Sequence, residues 1–396
     1  MTIPKHSTMS IPGEYLDSFV YSGTLFLVGV DRTLTTYSWN ELVDSASNKS
    51  GKTDWRFRTL LKGGQATRQL LTTAEKRNEE VVEIEESALK NCRTAKLDLE
   101  DWPSDISVYA NKLYTASDKG VWCRRFAWSN GLVREFEAPA IIWPNFAYGI
   151  SPNSLGRIAV AGGNDGLWTV VPHGNAVYDE DSRQVVGHPC SSCDWQEGVL
   201  VASTTGGAFR AEFAQIPQSP TGEGAITESY RAEVNKVKRQ PPTVSQLNIH
   251  GAMVLQSWIG GDRLFALTGD FRIYAREESV IGKNETPDSF VELTSVPIAQ
   301  VDFTRTPTVR SGIFGSLIEN GKQLSIISEE GLGDIASEPG RWRVFPRAKN
   351  YANQVHIAEE LQLRILAFDP PQTQSSADRF GFSIESITAS APNASN

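Results

Sequence analysis

One short pattern recurs along the chain and constrains its fold more than anything else in the sequence. An apolar, β-rich run is followed by a turn of Gly, Asp or Asn, and then by a second apolar run. Clear copies are Leu113-Tyr-Thr-Ala-Ser117 before Asp118-Lys-Gly120, and Ile158-Ala-Val-Ala-Gly162 before Asn164-Asp-Gly166. Others begin at Leu25, Leu70, Leu200, Leu264 and Leu324. The first four steps between copies are 42 to 45 residues; the last two, 64 and 60, read as one unit plus an insertion. A repeat at near-constant spacing marks a chain built from one supersecondary unit.

Each copy has the chemistry of a hairpin. Val, Ile, Leu and Phe mixed with Thr and Ser suit a strand between packed sheets, and Asp-Lys-Gly or Asn-Asp-Gly supplies the positive φ that tight turns need. After the copy at Leu113 a second turn signal, Asn130-Gly131, leads to Leu132–Phe136, so one unit holds four strands in series. The reading is an all-β chain of seven four-stranded antiparallel sheets. The hairpin within Gln354–Phe368 is expected to join the first unit and seal a ring without a free sheet edge. An eighth unit, or a β-sandwich or β-helix, is the competing reading. The boundaries that follow are an N-terminal extension over residues 1–13, the repeat domain over 14–368 with an insertion at about 212–245, and a disordered Ser-, Ala- and Asn-rich tail over 369–396.

The net charge of −9 argues against general nucleic-acid binding, which draws on phosphate neutralisation, and against anionic membranes. No run of 18 apolar residues occurs, nor an apolar leader near Met1. Four cysteines in 396 residues make no disulfide framework. A soluble, cytoplasmic protein is expected.

Few residues suggest chemistry. His188, Cys190 and Cys193 lie in His188-Pro-Cys-Ser-Ser-Cys193, a fragment of a zinc or redox pattern that lacks a fourth ligand; small cysteines buried between sheets explain it equally. Trp102, Trp143 and Trp195 each sit near the start of a unit, where they could form a stacking rim for a sugar or peptide, although packing between sheets is the commoner role of such rings. Ser104, Ser107, Ala147, Gly149, Ser191 and Ser192 are small enough for a crowded axis. Lys236, Lys238 and Arg239 form a basic cluster in the insertion, either a solvated loop or an arm toward a partner. No nucleophile elbow, His-Glu-x-x-His or phosphate loop is present, so no catalytic residue and no cofactor is assigned.

Over residues 14 to 368 the unit resembles the blade of seven-bladed β-propeller proteins, without the recurring dipeptides of the WD40 group or the paired glycines of kelch repeats. The resemblance implies a habit of binding other molecules on the ring faces and transfers no functional residue. The expected function is a non-catalytic protein–protein interaction scaffold presenting one face to another protein in a complex. The alternatives are a lyase or hydrolase acting at the mouth of the central channel, and a carbohydrate or small-ligand binder.

Overall fold

The computed structural model describes residues 3–48, 54–63, 81–153, 156–172, 182–196, 198–214, 228–260, 263–277, 290–296, 307–328, 331–348 and 350–369. Its strands form seven sheets in a ring. The innermost strands of blades 1 to 7 are Tyr15–Tyr21, Asp105–Tyr109, Gly149–Pro152, Cys190–Gln196, Ala252–Gly260, Thr308–Gly312 and Trp342–Val344. Each lies beside the innermost strands of both neighbouring blades, and blade 7 lies against blade 1. Within a blade the chain moves outward by antiparallel hairpins, as in blade 2 through Lys112–Ser117, Gly120–Ser129 and Leu132–Phe136. The Asn130-Gly131 turn takes φ values of 55° and 74°, the pair of left-handed residues that its hairpin requires.

Burial follows from this geometry. A blade covers both of its faces with neighbouring blades, so its middle strands are apolar throughout. Leu25, Phe26, Leu27 and Val28 are all buried, as are Leu264 to Leu267. The described core resolves into seven apolar clusters, one at each junction between blades.

Closure comes from the N-terminus. His6–Pro12, set apart above as an extension, is the outer strand of blade 7, where it pairs antiparallel with Gln362–Phe368. The hairpin over 354–368 therefore belongs to a blade of its own, begun at Trp342, instead of completing blade 1. The copy of the repeat at Leu70 lies outside the described residues. Beyond it, Val81–Glu83 pairs in parallel with His6–Pro12 at the rim of blade 7. Blade 1 takes its fourth strand from Arg93–Asp98. The intervening chain is an insertion carrying the helices Trp39–Ser47, Trp55–Lys62 and Glu86–Cys92. The count of seven stands, with one of the seven blades begun at Trp342. A second insertion, between the third and fourth strands of blade 4, includes the helix Glu228–Lys238. Residues 215–227 and the tail from 370 lie outside the described residues.

Met9 and Ile11 of the closing strand are fully buried in the cluster between blades 7 and 1. Each contributes roughly 1.5–3 kcal/mol. Ile11→Ala should destabilise the protein by about 2–5 kcal/mol in a urea titration. Removing residues 1–13 should expose the Gln362–Phe368 edge and drive the protein into aggregates, as measured by light scattering.

Candidate functional site

The seven inner strands enclose a central cavity of about 750 Å³, and its walls are unusually polar for the axis of a packed ring. One part of that polarity joins the blades to each other. Asp17 faces Val28, Asp105 faces Ala116 and Gln256 faces Leu267, which is one register position repeated in blades 1, 2 and 5. From there Asp105 Oδ2 accepts the Ile150 N–H of blade 3 at 2.9 Å, and Gln256 Oε1 accepts the Val309 N–H of blade 6 at 2.8 Å. Asp194, from a different register in blade 4, accepts the Ile259 N–H of blade 5 at 3.1 Å. An innermost strand has no partner on its axial side within its own sheet, so a side-chain oxygen from the next blade satisfies its orphan N–H.

The other part is a set of arginines from blades 6 and 7. Arg343 grips Asp17 through Nε and Nη2, both at 2.6 Å, and reaches Asp105 with Nη2 at 2.6 Å. Arg341 adds a contact to Asp17 at 2.8 Å. Burial alone would raise the Asp17 pKa, but the guanidiniums of Arg343 and Arg341 outweigh it and hold the carboxyl below its ordinary range. Burial likewise opposes charge on Arg343, and Asp17 and Asp105 more than restore it. Arg347 crosses the ring from blade 7 to blade 4, donating to the Trp195 carbonyl at 2.8 Å and lying 3.4 Å from Asp194. These carboxylates are occupied as ion-pair partners and acceptors, and no group of three His, Cys, Asp or Glu that could hold a metal ion occurs among the described residues.

Beside Asp17, His356 is buried between the rings of Trp39 and Phe345. Its Nδ1 lies 3.0 Å from Ser18 Oγ and its Nε2 3.3 Å from Gln354 Oε1. Burial pushes its pKa down to about 3; Asp17 pulls upward and Arg343 downward.

The residues singled out from sequence do not converge. Ser104, Ser107, Gly149, Ser191 and Ser192 line the cavity, whereas Ala147 is buried in the blade 2–3 core. Trp143 and Trp195 are fully buried, against Trp168 at 4.8 Å and Phe213 at 5.1 Å; Trp195 also borders the cavity. Trp102 stands outside, 60% exposed, with Arg32 over its ring at 4.7 Å. His188 is exposed and stacks on Phe209. Cys190 is buried, its thiol pushed up to about 12 by burial, and Cys193 borders the cavity. Lys236 and Arg239 are exposed at the end of the helix Glu228–Lys238, and Lys238 is half-buried. Arg157, fully buried, anchors that helix end by donating to the carbonyls of Val237 and Lys238 at 3.2 and 3.1 Å. The channel arginines were missed in sequence. Their available signal was three arginines in one short stretch, Arg341, Arg343 and Arg347.

Solved structures share this architecture. The β-propeller domain of Cps50 (Swd1) from Myceliophteria thermophila is 11% identical, with a TM-score of 0.51 over 91% of this chain and 99% of that one. The chain is a seven-bladed β-propeller. A second similar structure is the WD40 domain of Pan2 from Neurospora crassa, 9% identical, with a TM-score of 0.44 over 91% of each chain. No protein-family model and no curated protein matches the sequence. At such identities the likeness is one of fold. No helix among the described residues is long and apolar enough to cross a membrane.

Two outcomes test the electrostatics of the propeller axis. Asp17→Ala leaves Arg341 without a carboxylate and Arg343 with Asp105 alone, and should cost about 3–5 kcal/mol, while Arg347→Ala, whose side chain is 43% exposed, should cost under about 1 kcal/mol; denaturant unfolding of both variants measures the contrast. For His356, the unfolded chain takes up a proton near pH 6.5 that the folded state refuses until about pH 3. Its contribution to stability is therefore complete above pH 6.5 and is lost as pH falls through that window. Unfolding free energy should decline more steeply from pH 6.5 to 4 in the natural protein than in His356→Gln.

Proposed function

We propose that this propeller is a non-catalytic interaction scaffold, a cytoplasmic subunit that presents one ring face to another protein in a complex. The observation that carries this reading is a patch of exposed aromatic surface on the face formed by the connections between blades. Trp102 and Tyr148 are 60% and 54% exposed, and Val30, next to Trp102, is 43% exposed. The patch is held together from below. The Trp102 indole donates to the Val30 carbonyl at 3.3 Å, and Ser104 donates to the carbonyl of Ala147, next to Tyr148. Phe146 meets the Tyr148 ring edge-on at 4.5 Å.

Large rings left in water raise the free energy of the isolated molecule, and Trp, Tyr and Arg are the residue types that dominate binding at protein interfaces. Arg32 over Trp102 completes that composition. Both insertions leave from connections between third and fourth strands, which open on the opposite face. The four cysteines are free thiols, the state that a reducing compartment maintains.

Affinity capture from native cells tests the reading. Trp102→Ala with Tyr148→Ala should weaken retention of the partner by about 2 kcal/mol or more, roughly thirtyfold, with an unchanged melting curve. A partner retained equally by the double variant would move the contact elsewhere, and capture of nothing by either form would remove the scaffold reading.

A further inference from the structure

The hydrogen-bond inventory of the channel is lopsided. Its acceptors are in use. Asp17 takes the Ser18 N–H at 2.8 Å besides Arg341 and Arg343. Asp105 takes the Ile150 N–H and Arg343. Asp194 takes the N–H groups of Trp195 and Ile259 at 2.9 and 3.1 Å, with Ser151 Oγ at 3.5 Å and Arg347 nearby. Glu319, at the rim, takes the Trp342 indole at 2.7 Å. The donors are not. Arg310, on the inner strand of blade 6, lines the cavity and spends one N–H on the carbonyl of its own neighbour, Val309, at 2.8 Å. A guanidinium carries five, and no carboxylate among the described residues pairs with this one. Ser192 Oγ, also on the cavity wall, is buried without a hydrogen-bond partner among the described residues.

A partly buried guanidinium that lacks a counter-ion costs stability, and a planar carboxylate fits its fork of donors in bidentate fashion. The surroundings also limit the charge of any guest. Asp105 and Asp194 are close enough to act on Arg310 electrostatically, so a dianion would be repelled where a single negative charge is balanced by Arg310. We infer that the central channel is a binding site for one carboxylate group, held by Arg310, delivered either by a free small organic acid or by an acidic residue of a peptide. This does not depend on the loop-face reading, since the channel residues and the aromatic patch can be altered separately.

Thermal unfolding with added sodium acetate, against sodium chloride at equal ionic strength, provides the test. Acetate should raise the melting temperature of the natural protein and chloride should not. Arg310→Met should melt no lower than the natural protein without ligand, since it removes an unpaired charge, and should bind acetate at least tenfold more weakly. A short peptide with one glutamate, compared with its glutamine counterpart, separates the sources: a larger shift from the glutamate peptide than from acetate assigns a peptide ligand, and a larger shift from acetate assigns a free acid. The inference is overturned if neither carboxylate shifts the melt, if Arg310→Met responds as the natural protein does, if the glutamine peptide raises the melt as far as the better of the two carboxylates, or if inorganic phosphate is as effective as acetate.

Discussion

Seven facing residue pairs, from His6 opposite Phe368 to Pro12 opposite Gln362, place the two ends of the chain in one sheet, and the rest of the ring depends on them. A blade is stable only when both faces are covered. In an open ring, blades 1 and 7 would each expose one apolar face, including Val20, Leu25, Leu363 and Ile365. The insertion after the third strand of blade 1 strengthens the same seam. Trp39 donates to the Leu61 carbonyl, and Asn353 and Gln354 of blade 7 donate to the carbonyls of Leu60 and Leu61. The helices are therefore a clasp over the join as well as an ornament of the surface.

The axis obeys a different constraint. Apolar packing fills the spaces between blades, but the innermost strands face one another across a cavity of about 750 Å³. Their backbone N–H groups need acceptors, which Asp105, Asp194 and Gln256 provide across blade boundaries. Carboxylates placed there need compensation, which Arg341, Arg343 and Arg347 supply from a single segment of blade 7. The blade that completes the ring thus also neutralises its centre.

The architecture was legible where the repeat was dense. Copies at Leu113 and Ile158 carried both turns and strands, and the blades followed. The blade begun at Trp342 was missed because its hairpin over 354–368 reads equally well as the completion of blade 1, and the fourth strand of blade 1, Arg93–Asp98, follows a stretch that holds helices. The helix Trp39–Ser47 shows why that stretch was hard to read. Trp39, Leu42, Val43 and Ala46 are buried at helical spacing, but nine residues directly after a strand are too few for the pattern to stand out. The closing strand was hidden for another reason: its partner lies at the far end of the chain, and pairing across that distance leaves no local mark. The site was least legible. Trp102, Trp143 and Trp195 all precede a copy of the repeat, yet one is exposed and two are core, since Trp102 lies in a connection between blades, Trp143 ends a strand and Trp195 sits on an inner strand. Asp17, Asp105 and Gln256 share a register, but their common position emerges only when the strands are aligned by their pairing.

The closing strand also fixes an order of events during synthesis. Residues 6–12 leave the ribosome before any other strand of the ring, and their antiparallel partner, residues 362–368, after all the other blades. Blades 1 to 6 can form in sequence as they emerge, each using its predecessor as a template, but His6–Pro12 must wait for Gln362–Phe368. Throughout translation the nascent chain thus carries an unpaired strand bearing Met9 and Ile11, and a first blade with one bare face. The final step is a closure between distant segments, intrinsically slow because their loop entropy is lost before any contact compensates. During that interval the chain is most open to pairing with a second copy of itself or to capture by a chaperone.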